Sequence, residues 1–224
     1  MKLTAIIAAM CLAVSSQAQL INTNVFQATV NTLVPDANTT GLTSTQIISG
    51  ISGEIQSVQV SLDITGGWNG DLYAYLSFGN GFAVLLNRVG RSSSDPYGYG
   101  DAGFNIVLSD TAATDIHLYG GNGGNQLDGT FQPDGRNVNP QLVVGTDPQT
   151  ARLSSFTDLN PNGTWTLYVA DLASGYQSTL VNWSLTIETV PEPTNLQFLT
   201  FFGGLAAGGI WWLHRRSGEK PTKS

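Results

Sequence analysis

Two residue types, histidine and aspartate, decide what chemistry this chain can carry. Nucleophilic catalysis needs a base beside a serine, threonine or cysteine, and His117 is the only histidine outside the C-terminal stretch. It stands in Ile116-His117-Leu118, alternating with apolar neighbours, which is the pattern of an outward-facing strand residue rather than of a base. The one cysteine, Cys11, falls in an N-terminal apolar run. Removing that run excludes a disulfide framework, a thiolate metal site and a cysteine nucleophile. The glycines at 120–124 lack the Lys-Ser/Thr and helix of a phosphate loop. The expectation is therefore a protein without catalytic residues.

The aspartates leave one metal open. Asp71, Asp95, Asp101, Asp110 and Asp115 fall in or near loops, and hard carboxylate oxygens suit calcium. Asp71, Asp101 and Asp110 are the candidate ligands. No EF-hand or RTX spacing accompanies them, and the same residues serve equally as turn and cap residues. Paired carboxylates could cleave glycosides, but aspartate dominates over glutamate and no pair can be located from spacing. Between residues 19 and 190 stand four arginines and no lysine against twelve aspartates and two glutamates, a net charge of −10. Nucleic acid and anionic lipid surfaces are poor partners for such a domain, because binding them draws on a basic footprint.

The elements that position these residues read as β. The chain is 41% hydrophobic and 11% charged, with 26 glycines, too apolar for disorder and poor in helix formers. Val58, Val60, Leu62 and Ile64 alternate with polar residues, as do Leu72, Ala74, Leu76 and Phe78, and Gly79-Asn80-Gly81 joins the latter run to 82–86 as a hairpin. Residues 90–103 read as a long exposed loop before a strand at 104–108, and a glycine-rich loop precedes Thr130-Phe131. After the turn Asn160-Pro161-Asn162-Gly163, a strand carries Trp165, Leu167 and Val169, and the last strand carries Trp183, Leu185 and Ile187. Many short strands with Gly-rich turns predict an all-β, jelly-roll-like β-sandwich.

The two ends are of another kind. Met1-Lys2, an apolar run and Ser16-Gln17-Ala18 form a signal peptide, 1–18, with cleavage between Ala18 and Gln19. Residues 196–213 carry no charge and precede His214-Arg215-Arg216. Eighteen residues at about 1.5 Å each just cross a bilayer core, and the basic flank, 214–224, marks the cytoplasmic side.

The stretch Asn162-Gly163-Thr164-Trp165-Thr166-Leu167-Tyr168-Val169-Ala170-Asp171, followed by Leu180-Val181-Asn182-Trp183-Ser184-Leu185-Thr186-Ile187, resembles the C-terminal half of the P domain (Homo B) of kexin- and furin-like proprotein convertases. Val34-Pro35-Asp36, Trp68-Asn69-Gly70-Asp71-Leu72, Asp110-Thr111-Ala112-Ala113 and Gly129-Thr130-Phe131-Gln132-Pro133-Asp134-Gly135 fit the same pattern in order, and the resemblance covers residues 26–188. Its motif residues, Gly163, Trp165, Asp171 and Trp183, identify a scaffold: the tryptophans read as core anchors, and Gly163 and Gly70 as turn conformations a side chain would obstruct. A P domain normally follows a subtilisin-like protease domain and stabilises it; here the P-like region follows the signal directly. Val190-Pro191-Glu192-Pro193, the apolar span and Arg215-Arg216 resemble a PEP-CTERM sorting signal, which implies processing by an exosortase-like enzyme in a Gram-negative bacterium making exopolysaccharide. Residues 189–195 are then a stiff linker.

Two functions follow as expectations. One is a non-catalytic envelope or matrix module that contacts polysaccharide or a surface protein through the loop around Tyr97 and Tyr99. The other is an accessory domain acting in trans on a separate subtilisin-like secreted protease.

Overall fold

The computed structural model describes residues 20–191. The signal peptide with Ala18 and Gln19, the span 196–213, and Glu192, Pro193, Arg215 and Arg216 lie outside the described residues. Among those described, no helix is long and apolar enough to cross a membrane.

Nine strands form two sheets: β1 (Asn22–Leu33), β2 (Leu42–Ile48), β3 (Glu54–Gly66), β4 (Leu72–Phe78), β5 (Gly81–Asn87), β6 (Gly103–Leu108), β7 (Leu127–Phe131), β8 (Gly163–Asp171) and β9 (Ser178–Val190). One sheet has the order β1-β9-β3-β6-β7 and the other β2-β8-β4-β5. All pairings are antiparallel except β6 with β7. The period-two pattern decides which side of each strand is buried. In β3, Val58, Val60, Leu62 and Ile64 face inward, and in β4 so do Leu72, Ala74, Leu76 and Phe78. The predicted hairpin forms between β4 and β5, where Phe78 pairs with Gly81 and Gly79 takes φ 57°, as a two-residue turn requires.

The two motif strands lie inside the sheets: β9 runs between β1 and β3, and β8 between β2 and β4. That placement buries Trp165 and Trp183 completely. Each indole also finds an acceptor, Trp165 Nε1 donating to the Pro161 carbonyl at 3.0 Å and Trp183 Nε1 to Ser44 Oγ at 2.9 Å. Phe78 stacks on Trp165 with centroids 4.2 Å apart and planes 3° from parallel. Deleting an aromatic so placed costs roughly 3–5 kcal/mol. Gly163 has φ 145° and a Cβ there would lie 3.0 Å from the Phe78 ring, so glycine is required for both reasons.

One expectation changes and two gain detail. The triad Ile116–Leu118 is a 3₁₀ turn, not a strand, and His117 is fully buried within it. Gly70 lies in a turn that a side chain would obstruct, as expected, through close approach rather than backbone angle: a Cβ would lie 2.1 Å from the Tyr97 carbonyl. The loop at 90–103 is exposed over residues 93–97, as expected, and its return is fastened to the turn before β4: Gly70 N–H donates to the Tyr99 carbonyl at 2.8 Å, Asn69 N–H to that of Asp101 at 3.0 Å, and Tyr99 N–H to that of Val89 at 3.1 Å.

Registers place four connections at one end of the sandwich. Leu33 pairs with Thr179, Gly66 with Ser178, Leu42 with Val169, Leu72 with Asp171, Tyr73 with Asn87 and Thr65 with Gly103. The β1–β2, β3–β4, β5–β6 and β8–β9 links, each crossing from one sheet to the other, therefore meet there.

Candidate functional site at the crossover end

This end is held by side chains that satisfy backbone groups. Asn69 accepts from Gly103 N–H at 2.9 Å and donates to the Gly103 carbonyl and to Tyr119 Oη, both at 3.1 Å. Asp101, also buried, accepts at 2.7 Å from each of Asn122 N–H, Gly124 N–H and Tyr119 Oη. The glycine-rich loop predicted at 120–125 is thus pinned by one carboxylate. Burial, and the hydrogen bond and charge of Asp101, push the Tyr119 phenol well above its ordinary range.

The three candidate calcium ligands sit in different surroundings. Asp71 is buried in a 3₁₀ turn, Asn69–Asp71, with Arg88 Nη2 at 3.6 Å. Asp101 holds the glycine loop. Asp110 lies at the other end, accepting from Leu153 N–H at 3.2 Å and Ser154 N–H at 2.7 Å, on the wall of a cavity of about 310 Å³ shared with Gln56, Gln59 and Glu188. Among the described residues no three His, Cys, Asp or Glu side chains come together to hold a metal ion. Of the other loop aspartates, Asp95 caps its own loop, accepting from Tyr97 and Gly98 N–H, and Asp115 pairs with Arg136 Nη2 at 2.7 Å.

His117 has the orienting carboxylate of a catalytic histidine without the free nitrogen. Its Nδ1 is 2.7 Å from Asp134 Oδ2 and its Nε2 is 3.0 Å from the Arg91 carbonyl. The carbonyl can only accept, so Nε2 donates to it and is closed to a nucleophile's proton. Asp134 also lies 3.4 Å from Arg136 Nη1.

Asp171, the last motif residue, pairs with Leu72 at the end of β8. It is fully buried, and its Oδ2 has no hydrogen-bond partner, while Oδ1 accepts from Ala173 N–H at 3.3 Å. Burial raises its pKa to about 6, with the charges of Asp71 and Asp36 adding to the rise. Pro191, the described residue of the sorting motif, follows β9 and is half-buried beside Gly53.

Spacing gave no hint of the aromatic pair at this end. Tyr176 stacks on Trp68 with centroids 4.7 Å apart and planes 9° from parallel. Tyr176 is 65% exposed and adopts φ 59°, a conformation that costs a tyrosine of the order of 1 kcal/mol or more. Asp36 fixes its neighbour, both carboxylate oxygens accepting from Gly175 N–H at 3.0 and 3.1 Å. Of the two tyrosines singled out in the sequence, Tyr97 is exposed, whereas Tyr99 is half-buried with its ring 4.4 Å from that of Tyr119.

No protein-family model matches the chain, and no curated protein matches it. Among solved structures, it is similar to the complex of the Aeromonas sobria serine protease (ASP) with the chaperone ORF2, with a TM-score of 0.44 and 17% identity over 81% of this chain and 29% of that one. It is likewise similar to the serine protease of Aeromonas sobria, with a TM-score of 0.44 and 16% identity over 80% of this chain and 29% of that one. The chain spans under a third of the length of both.

Proposed function

We propose that residues 26–188 form a non-catalytic binding module, exported and sorted by an exosortase-type system into the envelope or extracellular matrix of a Gram-negative bacterium. The observation that supports this reading is the crossover end, where Tyr97 and Tyr176 stand exposed on a frame whose buried Asn69, Asp101 and His117 and half-buried Tyr119 are held by protein partners. Such a surface acts by contact, and its partner is a polysaccharide or a surface protein. Glycan-array binding and binding to purified envelope proteins, compared between the exported protein and its Tyr97→Ala and Tyr176→Gly variants, test the reading. Binding that survives both substitutions unchanged overturns the crossover end as the contact surface.

Pro191, Glu192, Pro193, Arg215 and Arg216 are the sorting element in this proposal: the prolines keep the strip extended and accessible, and the arginines orient the span. Intact-mass measurement on protein from the native host should find a species ending near residue 193. A mature species that retains Trp211 and Arg215, unchanged by deleting the exosortase, would make the tail a permanent anchor.

The motif resemblance to the P domain supports a second reading, an accessory domain that stabilises a separate subtilisin-like protease in trans. Under that reading, adding the domain lengthens the thermal half-life of such a protease encoded nearby. An unchanged half-life speaks against it.

A further inference from the structure

We propose that the Trp68–Tyr176 pair is a stacking platform for the guanidinium of an arginine in a basic segment of a protein partner. The inference rests on the binding-module reading and names the partner's chemistry. One face of the Tyr176 ring lies on Trp68, and an exposure of 65% leaves the other face to solvent. The platform is preorganised from both sides. A Cβ at Gly67 would lie 1.9 Å from Ser178 Oγ and 2.8 Å from the Tyr176 carbonyl, so the two loops touch, and one at Gly100 would lie 3.6 Å from the Trp68 indole. Asp36 holds the tip of the β8–β9 loop through Gly175.

Charge selects the occupant. Asp36, Asp71 and Asp171 act on one another electrostatically, with Arg88 as the cation among them. Asp36 is exposed. Asp171 is buried with one carboxylate oxygen unpartnered, and the domain as a whole carries −10 and no lysine between residues 19 and 190. An aromatic face in a negative field attracts a cation. A guanidinium suits it better than an ammonium because it is planar and weakly hydrated and can lie flat on the ring. A neutral pyranose could stack on the same ring but would gain nothing from the charge.

Calorimetric titration of the full chain with the peptide acetyl-Gly-Arg-Arg-Gly-amide tests this, with the citrulline isostere and maltohexaose as comparison probes. The arginine peptide should bind at least about two- to fivefold more tightly than the citrulline peptide, the ratio an exposed cation–π contact supplies, and the preference should shrink as salt is raised. Tyr176→Gly should abolish that preference while leaving the melting temperature unchanged or higher, because glycine accepts φ 59° without strain. Asp36→Asn should reduce it partly. Equal binding of the two peptides, or an arginine preference that survives Tyr176→Gly, overturns the proposal. Maltohexaose binding that Tyr176→Gly removes would assign the platform to a glycan instead, overturning the arginine while leaving the binding-module reading in place.

Discussion

Two buried charged clusters flank the crossover end, and they differ in how closely their opposite charges meet. In the first, Arg136 reaches Asp115 at 2.7 Å, Asp134 at 3.4 Å and the Gly145 carbonyl at 2.7 Å, and Asp134 in turn holds His117 at 2.7 Å. Burial works against the Arg136 charge, yet the hydrogen bonds it donates to Asp115 and the charge of Asp134 outweigh it and raise the pKa. In the second, Arg88 stands 3.6 Å from Asp71. There burial wins on both partners: it raises the Asp71 pKa and lowers that of Arg88. One cluster is a lock between the 3₁₀ turn, the loop after β7 and the loop around Gly145. In the other, Arg88 donates to the Gly70 carbonyl at 2.9 Å and to Gln141 Oε1 at 3.1 Å but meets its carboxylate only at 3.6 Å; each cluster leaves one buried polar atom without a partner, Arg136 Nε in the first and Asp171 Oδ2 in the second. A buried charge stabilises a fold only when its pairing exceeds its desolvation, and of the two arginines only Arg136 has pairing that outweighs burial.

The largest expected effect comes from breaking the lock. Arg136→Met strands Asp134 and Asp115 and should cost roughly 3–5 kcal/mol in urea unfolding. A loss below about 1 kcal/mol would mean that the lock is ornamental. Next comes its internal coupling. A double-mutant cycle of His117→Gln with Asp134→Asn should give an interaction energy of about 1–3 kcal/mol, since the two residues share one hydrogen bond in a dry site. Additive losses would break the claim that they act as a unit.

These contrasts also show what could be read in the sequence. β3, β4, β8 and β9 were legible because both their faces are chemically distinct, and the tryptophans of β8 and β9 could be assigned to the core for the same reason. β1 was missed: as an edge strand it alternates only Phe26, Ala28 and Val30 against Thr, Val and Gln, too weak a contrast for period counting. His117 misled because three residues of apolar-polar-apolar fit a 3₁₀ turn as well as a strand. The loop aspartates were legible as cap and turn residues, but not which amides they would find: Asp101 takes donors 18 to 23 residues away and Asp110 takes donors 43 and 44 residues away. Trp68 and Tyr176 meet only because two crossover loops share one end, a consequence of topology with no local signal.

The weaker cluster should show itself in pH dependence. The Asp171 pKa rises from 3.8 to about 6 on folding, chiefly through burial, so the folded state holds its proton more tightly than the unfolded chain. Stability from this group is therefore fully present below pH about 4, declines as pH rises, and is gone above about 6. At about 1.4 kcal/mol per pH unit the full effect is at most about 3 kcal/mol. Asp171→Asn removes it, so the variant should gain on the wild type between pH 4 and 6.5. Parallel pH profiles for the two proteins would put the Asp171 carboxyl in the ordinary range and erase the contrast between the clusters.

The smallest effect sharpens the comparison most finely, because it alters charge without altering contacts. Asp36 is exposed and raises the pKa of both Asp71 and Asp171 from a distance. In Asp36→Asn the side-chain oxygen still accepts from Gly175 N–H, so the β8–β9 loop keeps its anchor while one negative charge leaves the under-compensated cluster. Stability at pH 7 should rise by less than about 0.5 kcal/mol, the scale of surface electrostatics, and the gain should fade at high salt as the charge is screened. The midpoint of the Asp171-dependent step should move down with it. A stability loss would show that the carboxylate serves the loop through more than one hydrogen bond. An unchanged midpoint would show that burial and Asp71 set the pKa of Asp171 without Asp36, and that Asp36 belongs to the platform rather than to the cluster beneath it.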